Sequence, residues 1–159
     1  MPKSIIISPW SKIMRNNLEN PKNYPYWNQV VIELNANNIK TIQVGVNGER
    51  LIGAREVLFN LSIKQLSDLI KSTDTWISVD NFFQHLAHIV GKPGIVIWSK
   101  SNPEIFGYKN NVNLLKGKMY LRPDQFNIWE QCSFDIESFV EPKKVIDSVK
   151  EHLDRERYI

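Results

Sequence analysis

A chain of 159 residues, 42% hydrophobic and 23% charged, has the length of one ordinary domain with a sizeable core, which excludes a disordered or low-complexity polypeptide. The net charge of +3, from 20 basic and 17 acidic residues, tolerates an anionic ligand but is too mild to argue for nucleic acid. One cysteine, Cys132, excludes an internal disulfide and a cysteine-built metal site and favours a reducing, cytoplasmic setting, and no apolar run approaches the roughly 18 residues of a membrane span.

Ile5, Ile6 and Ile7 predict a short buried strand that stops at Ser8-Pro9 and is too short for a signal peptide. Residues 10–25 are polar and irregular, with Ser11, Lys12, Arg15, several asparagines and Lys22. A connection of this length is uncommon unless it has a task; the plain alternative is a mobile surface loop. Pro25 suits the first turn of a helix with Trp27, Val30, Val31 and Leu34 on its apolar face, ended by Asn37-Asn38. Residues 39–44 predict a second strand. The Gly45-Val46-Asn47-Gly48-Glu49 stretch after it allows a close backbone approach to a ligand, or simply a tight turn. A short helix is expected over 49–54 and a third strand over 57–59. Ser62 reads as the cap of a helix over 63–71, with Ile63, Leu66, Leu69 and Ile70 inward.

An apolar run at 76–79 ends at Asp80-Asn81. Phe82, Phe83, Leu86, Ile89 and Val90 then mark the apolar face of a helix, Gly91-Lys92-Pro93 ends it, and a second apolar run covers 95–98. Strand, tight turn, helix and strand make a βαβ unit, whose strands are parallel and buried. Ligands of such units lie at the carboxyl ends of the strands, where helix N-termini present unpaired amides, and residues 80–84 occupy that place. Beyond it, 99–113 reads as a polar loop and 112–115 as a short strand, while 116–135 has no assignable pattern. Pro142 opens a last helix with Val145, Ile146, Val149 and Leu153 as its stripe, and the charged tail over 154–158 is expected to fray. This alternation predicts one α/β domain over 1–159, a Rossmann-like three-layer fold with an open, mostly parallel sheet and helices on both faces.

Several residues could carry chemistry. His85 follows Asp80 by little more than one helical turn and could contact a phosphate or leaving group; equally, it could be an ordinary helix-face histidine. His88 shares its face, but a two-histidine metal site would need a third ligand, and none is suitably spaced. Asp80 is either a site acid or a helix cap, and Glu49 either a ribose ligand or a solvated acid. Lys12, Arg15 and Lys22 could neutralise a diphosphate or belong to a plain polar loop. No Ser-His-Asp order, nucleophile elbow or P-loop is present.

The stretch VDNFFQHLAHIVGKPGIVIWSKSNPEIFGY resembles the signature of the heptosyltransferase-type glycosyltransferases, glycosyltransferase family nine: Asp-Thr-Gly, two residues, His-Leu, Lys-Pro, a strand, then a Gly-Pro-Thr-Asp-Pro loop. PKNYPYW resembles the family's Lys-Arg-Trp-Pro segment, and QVGVNGE its ribose-binding strand end. The likeness runs from about residue 5 to 153 and implies the donor-binding C-terminal half of a two-domain GT-B enzyme. It further implies that Lys22 lies near the donor phosphates, Glu49 at the ribose, Leu61 against the base and Asp80 near the donor sugar. The backbone amides of Asn81 and Phe82 would meet the diphosphate, and His85 is the motif histidine. Ser11 and Lys12, in the loop after the first strand, join the expected donor-binding set. The substrate would be a nucleotide-diphosphate sugar, with no metal and no further cofactor required.

This chain departs from the pattern where Asn81-Phe82 replaces Thr-Gly and where Ser99-Lys100-Ser101-Asn102-Pro103 lacks the glycine. The family's acceptor-binding half, to which the base belongs, is not represented in these residues. Transfer is therefore expected to need a second copy or a partner protein that completes the cleft. The alternatives are a non-catalytic nucleotide or nucleotide-sugar binder and an interaction module that keeps only the fold.

Overall fold

The computed structural model describes residues 1–155, so most of the tail expected to fray lies outside the described residues; Asp154 and Arg155 are helical. The elements in chain order are β1 (Ser4–Ser8), α1 (Trp27–Ala36), β2 (Lys40–Gly45), β3 (Glu56–Phe59), α2 (Ile63–Ser72), β4 (Thr75–Val79), α3 (Phe82–Val90), β5 (Ile95–Ile97), α4 (Pro103–Phe106), β6 (Val112–Leu114) and α5 (Pro142–Arg155). Short 3-10 turns occupy Lys118–Tyr120, Trp129–Gln131 and Ile136–Ser138. The six strands form one sheet in the order β3-β2-β1-β4-β5-β6, and every pairing is parallel. This is the doubly wound arrangement, with its switch point between β1 and β4.

Successive strand side chains point to opposite faces, and this divides the isoleucine run. Ile5 and Ile7 join Ile77, Val79, Ile95 and Ile97 under α1 and α5. Ile6 joins Ile42, Val44, Trp76 and Val96 under α2 and α3. Both faces of the sheet are therefore dry, as an all-parallel sheet requires. Each fully buried isoleucine contributes roughly 1.5–3 kcal/mol of transfer free energy.

Several expectations change in detail. The 49–54 stretch is irregular rather than helical. The buried Gln43 side chain claims its backbone, donating to the Arg50 carbonyl at 2.8 Å and accepting from the Ile52 amide at 3.1 Å. Pro25 precedes α1 instead of opening it. Ile63 on α2, and Phe82 and Ile89 on α3, are exposed; Gln84 and Ala87 are buried in their stead. Ser62 does cap α2, through a reciprocal box with Gln65. The 99–113 loop contains one helical turn, α4, capped by Asn102.

Two side chains fix the sheet's geometry and are testable. Gly94 lies against the buried Trp76 ring, and a Cβ there would come within 2.3 Å of the ring. Trp76 cannot retreat easily, because its Nε1 donates to the Lys92 carbonyl at 2.9 Å and its ring meets Phe83 edge-on. Gly94→Ala is expected to lower stability by about 1–3 kcal/mol in urea melts, the cost of overpacking; an unchanged midpoint would contradict this packing. At the same amino-terminal edge of the sheet, Asp74 Oδ2 accepts the Ser4 amide at 2.8 Å, and Lys3 Nζ lies 3.5 Å from Oδ1. Burial alone would raise the Asp74 carboxyl, but the Ser4 bond and the Lys3 charge outweigh it and hold the group below its ordinary 3.8. A depressed carboxyl contributes stability above its unfolded pKa and loses it as pH falls through the folded value. The stability gap between the native chain and Asp74→Asn should be largest near neutrality and close as pH drops below about 4. A gap independent of pH would exclude that role.

Candidate functional site

The carboxyl ends of β1 and β4 lie side by side, with Ser8 in register with Ser78. The chain leaves β1 towards α1 and leaves β4 into α3, which opens a crevice between the two exits. Asn81 ties these exits together. Its Oδ1 accepts the Phe83 amide at 3.0 Å and caps α3, while its Nδ2 reaches the Ser8 carbonyl, the Ser8 hydroxyl and the Trp10 carbonyl.

The 10–25 connection is packed against this edge by side chains that bond to backbone. Trp27 Nε1 donates to the Pro9 carbonyl, the Ser11 amide to Asn23 Oδ1, Asn20 Nδ2 to the Lys12 carbonyl and Ser99 Oγ to the Pro21 carbonyl. The asparagines replace the missing ladder, which explains how an irregular segment of this length stays ordered. Lys22 is thereby delivered to the crevice. Its Nζ lies 3.0 Å from Asp80 Oδ2, and Gln84 Nε2 donates to Asp80 Oδ1 at 2.8 Å. Ser11 Oγ donates to the Asp80 carbonyl at 2.9 Å.

Lys22 and Asp80 line a cavity of about 230 Å³. Ser101 and Phe106 contribute from the loop after β5, and Arg122, Gln125, Phe126, Asn127 and Trp129 from the segment between β6 and α5. Trp129 carries two cations: Lys22 Nζ lies 4.6 Å and the Arg122 guanidinium 3.8 Å from the ring centroid. A second hollow, about 670 Å³, lies beyond Arg122 and Asn127 and includes Cys132. Burial pushes the Cys132 thiol up against the pull of Lys100 and Arg122, so the sulfur is a thiol rather than a ready nucleophile.

The structure thus gathers Ser11, Lys22, Asp80 and Asn81. The other expected residues stand apart from the cavity. Glu49, after β2, folds back on its own turn, where Oε1 accepts the Val46 amide at 2.5 Å. Gly45 makes room for that carboxylate, since a Cβ there would meet Oε1 at 2.3 Å. Leu61 is partly buried after β3. Lys12 is exposed, and Phe82 is 57% exposed and does not line the cavity. His85 is on the outer face of α3; its Nδ1 is 2.7 Å from the Tyr108 hydroxyl, whose ring stacks on His88. Among the described residues no group of three His, Cys, Asp or Glu stands together to hold a metal, and no helix is long and apolar enough to cross a membrane.

Sequence reasoning placed Gln84 within 80–84 without giving it a role, and it missed the whole 122–129 wall. That role was findable, because Gln84 follows Asp80 by four residues across a helix start. The wall carries only a weak signal, an arginine and two aromatics in a polar stretch.

The chain resembles solved structures over nearly all its length. Heptosyltransferase II of E. coli, described as an ADP-heptose LPS heptosyltransferase, matches with a TM-score of 0.72 at 12% identity over 98% of this chain and 48% of that one. A family 9 glycosyl transferase of Veillonella parvula matches with a TM-score of 0.72 at 16% identity over 97% and 46%. TibC of enterotoxigenic E. coli, a dodecameric iron-containing heptosyltransferase solved with ADP-D-beta-D-heptose, matches with a TM-score of 0.66 at 12% identity over 98% and 45%. The chain therefore spans about half the length of these proteins. No curated protein sequence matches it significantly. The family model described as "Glycosyltransferase family 9 (heptosyltransferase)" matches residues 27–129, well over half of the chain. With that match on a parallel sheet in the order 3-2-1-4-5-6, the chain belongs to glycosyltransferase family 9.

Proposed function

We propose that these residues bind the nucleotide-diphosphate sugar donor of a glycosyltransferase reaction along the carboxyl edge of the sheet. The observation that carries this reading is the Lys22–Asp80 pair, held at the switch point beside the N-terminus of α3. A diphosphate seated there meets a cation and the positive end of a helix, with no metal in the scheme. The amides of Asn81 and Phe82 lie at that helix start, with Ser11 bonded to the Asp80 backbone and Lys12 next to it in the chain. The nucleoside extends towards β2 and β3, where Glu49 faces the ribose and Leu61 the base. One Glu49 oxygen accepts a backbone amide, and a carboxylate with about four lone-pair sites keeps room for ribose hydroxyls. His85 joins the donor set through the family likeness; on the outer face of α3 it is bonded to Tyr108.

The acceptor site and the base come from outside these residues, in a second copy, in a partner protein or in more of the same polypeptide. TibC, a dodecamer, is a relative in fold that assembles. The lone thiol of Cys132 suits the reducing cytoplasm.

A second reading, binding without transfer, has its own observation. Both Asp80 oxygens are already engaged, by Lys22 and Gln84, so this carboxylate is poorly placed to take a proton from an attacking hydroxyl, and with no base supplied from outside, these residues bind the donor without transferring it.

A ligand bound only by the native state raises the melting temperature, by the equivalent of roughly 2.7 kcal/mol at a hundred times its Kd. Against ADP, UDP, GDP and their sugar conjugates, at least one series should stabilise the chain. Lys22→Met should weaken that binding by about tenfold or more, whereas Lys71→Met, at an exposed lysine in the last turn of α2 and outside the donor set, should change it less than about twofold. Silence across the whole panel, or identical behaviour of the two variants, would defeat the donor-site reading. Turnover of the bound donor with a completed cleft separates transfer from binding alone.

A further inference from the structure

Resting on that donor-site reading, in which the donor sugar lies by Asp80, the geometry points to Phe126, at the lip of the cavity under the 122–129 segment, as the residue that determines which glycosyl group fits. At about 230 Å³ the cavity falls below the roughly 300–1,000 Å³ of pockets for drug-sized ligands, so it takes one ring and not a whole nucleotide sugar. Its lining is of two kinds. Lys22, Asp80 and Ser101 offer charged and hydroxyl partners, and Phe106, Phe126 and Trp129 offer aromatic surface. A pyranose asks for that combination, because its hydroxyls need hydrogen bonds while its C–H faces pack on flat apolar rings.

Phe126 is the distinctive member. Its ring is 79% exposed at the lip of the cavity, held edge-on to Phe106 with centroids 5.7 Å apart. Isolated exposed apolar residues are ordinary on a protein surface. This one is presented by a built loop. Arg122 Nη2 donates to the carbonyls of Gln125 and Asn127, on either side of Phe126, at 3.0 and 2.7 Å. Gln125 Nε2 bonds the Lys100 and Arg122 carbonyls and its Oε1 accepts the Asn102 amide, which fixes the loop to the one after β5. The Phe126 amide itself is held by Asp124 Oδ1 at 3.0 Å. The backbone is thus committed on both sides of a ring that has little to pack on, which suits a ring whose partner arrives with the donor. Because the loop is tied by Arg122 and Gln125 rather than by Phe126, replacing the ring leaves its support in place.

Isothermal titration of Phe126→Ala and Phe126→Trp beside the native chain tests this, with ADP and ADP-heptose, UDP and UDP-glucose, and GDP and GDP-mannose as probes. For whichever pair binds most tightly, Phe126→Ala should weaken the nucleotide sugar about tenfold and leave the bare diphosphate within about twofold, and Phe126→Trp should restore sugar binding. Equal loss for both members of the pair, or no loss for either, overturns the inference about Phe126 and leaves the donor-site reading standing. Absence of binding by every probe to the native chain removes the donor-site reading itself and this inference with it.

Discussion

A parallel strand pair whose two exits turn in opposite directions leaves a gap that backbone alone cannot fill. In this fold the pair is β1 and β4, and the gap is closed by side chains. Asn81 bonds both exits at once, and Asp80 next to it is fastened by Lys22 on one oxygen and Gln84 on the other. Exposed ion pairs contribute little. Lys22 and Asp80 are only 20% and 11% exposed at their side chains, so their desolvation must be offset by close geometry and by further hydrogen bonds. Gln84 supplies one such bond, and its complete burial shows how much of α3 is committed to this point.

Everything else at the edge is arranged around that gap. The long connection after β1 brings Lys22 back to it, the start of α3 points its positive end at it, and the segment after β6 forms an aromatic wall over it. Trp129 holds both Lys22 and Arg122 at its ring, which attracts each cation, while Asp80 balances the charge of Lys22. The phenylalanine at the position where the family pattern has glycine turns outward, so it does not occupy the crevice. A phosphate arriving at α3 must nevertheless share the first turn with the Asn81 cap on the Phe83 amide.

The parallel sheet was readable because its strands are short, β-branched and stopped by polar residues, and because the helices between them keep helical spacing. Local competition set the limits. Residues 49–54 hold no helix because the buried Gln43 side chain of the preceding strand takes their backbone bonds, and no periodicity announces that. Ile63, Phe82 and Ile89 are apolar but exposed, so the apolar pattern placed them on the wrong side of their helices. Of the site, Lys22 and Asp80 were legible through family likeness, whereas the 122–129 wall was not. Its order comes from Arg122 and Gln125 bonding irregular backbone, an arrangement with no sequence period.

The central claim is that an anionic nucleotide lies along the β2, β1 and β4 strand ends, against the start of α3. Backbone amide shifts followed by NMR during titration with a bound nucleoside diphosphate test this most directly. The account predicts the largest changes over residues 80–84 and 45–49. Changes confined to the opposite, amino-terminal edge of the sheet, around Lys3 and Asp74, would contradict it.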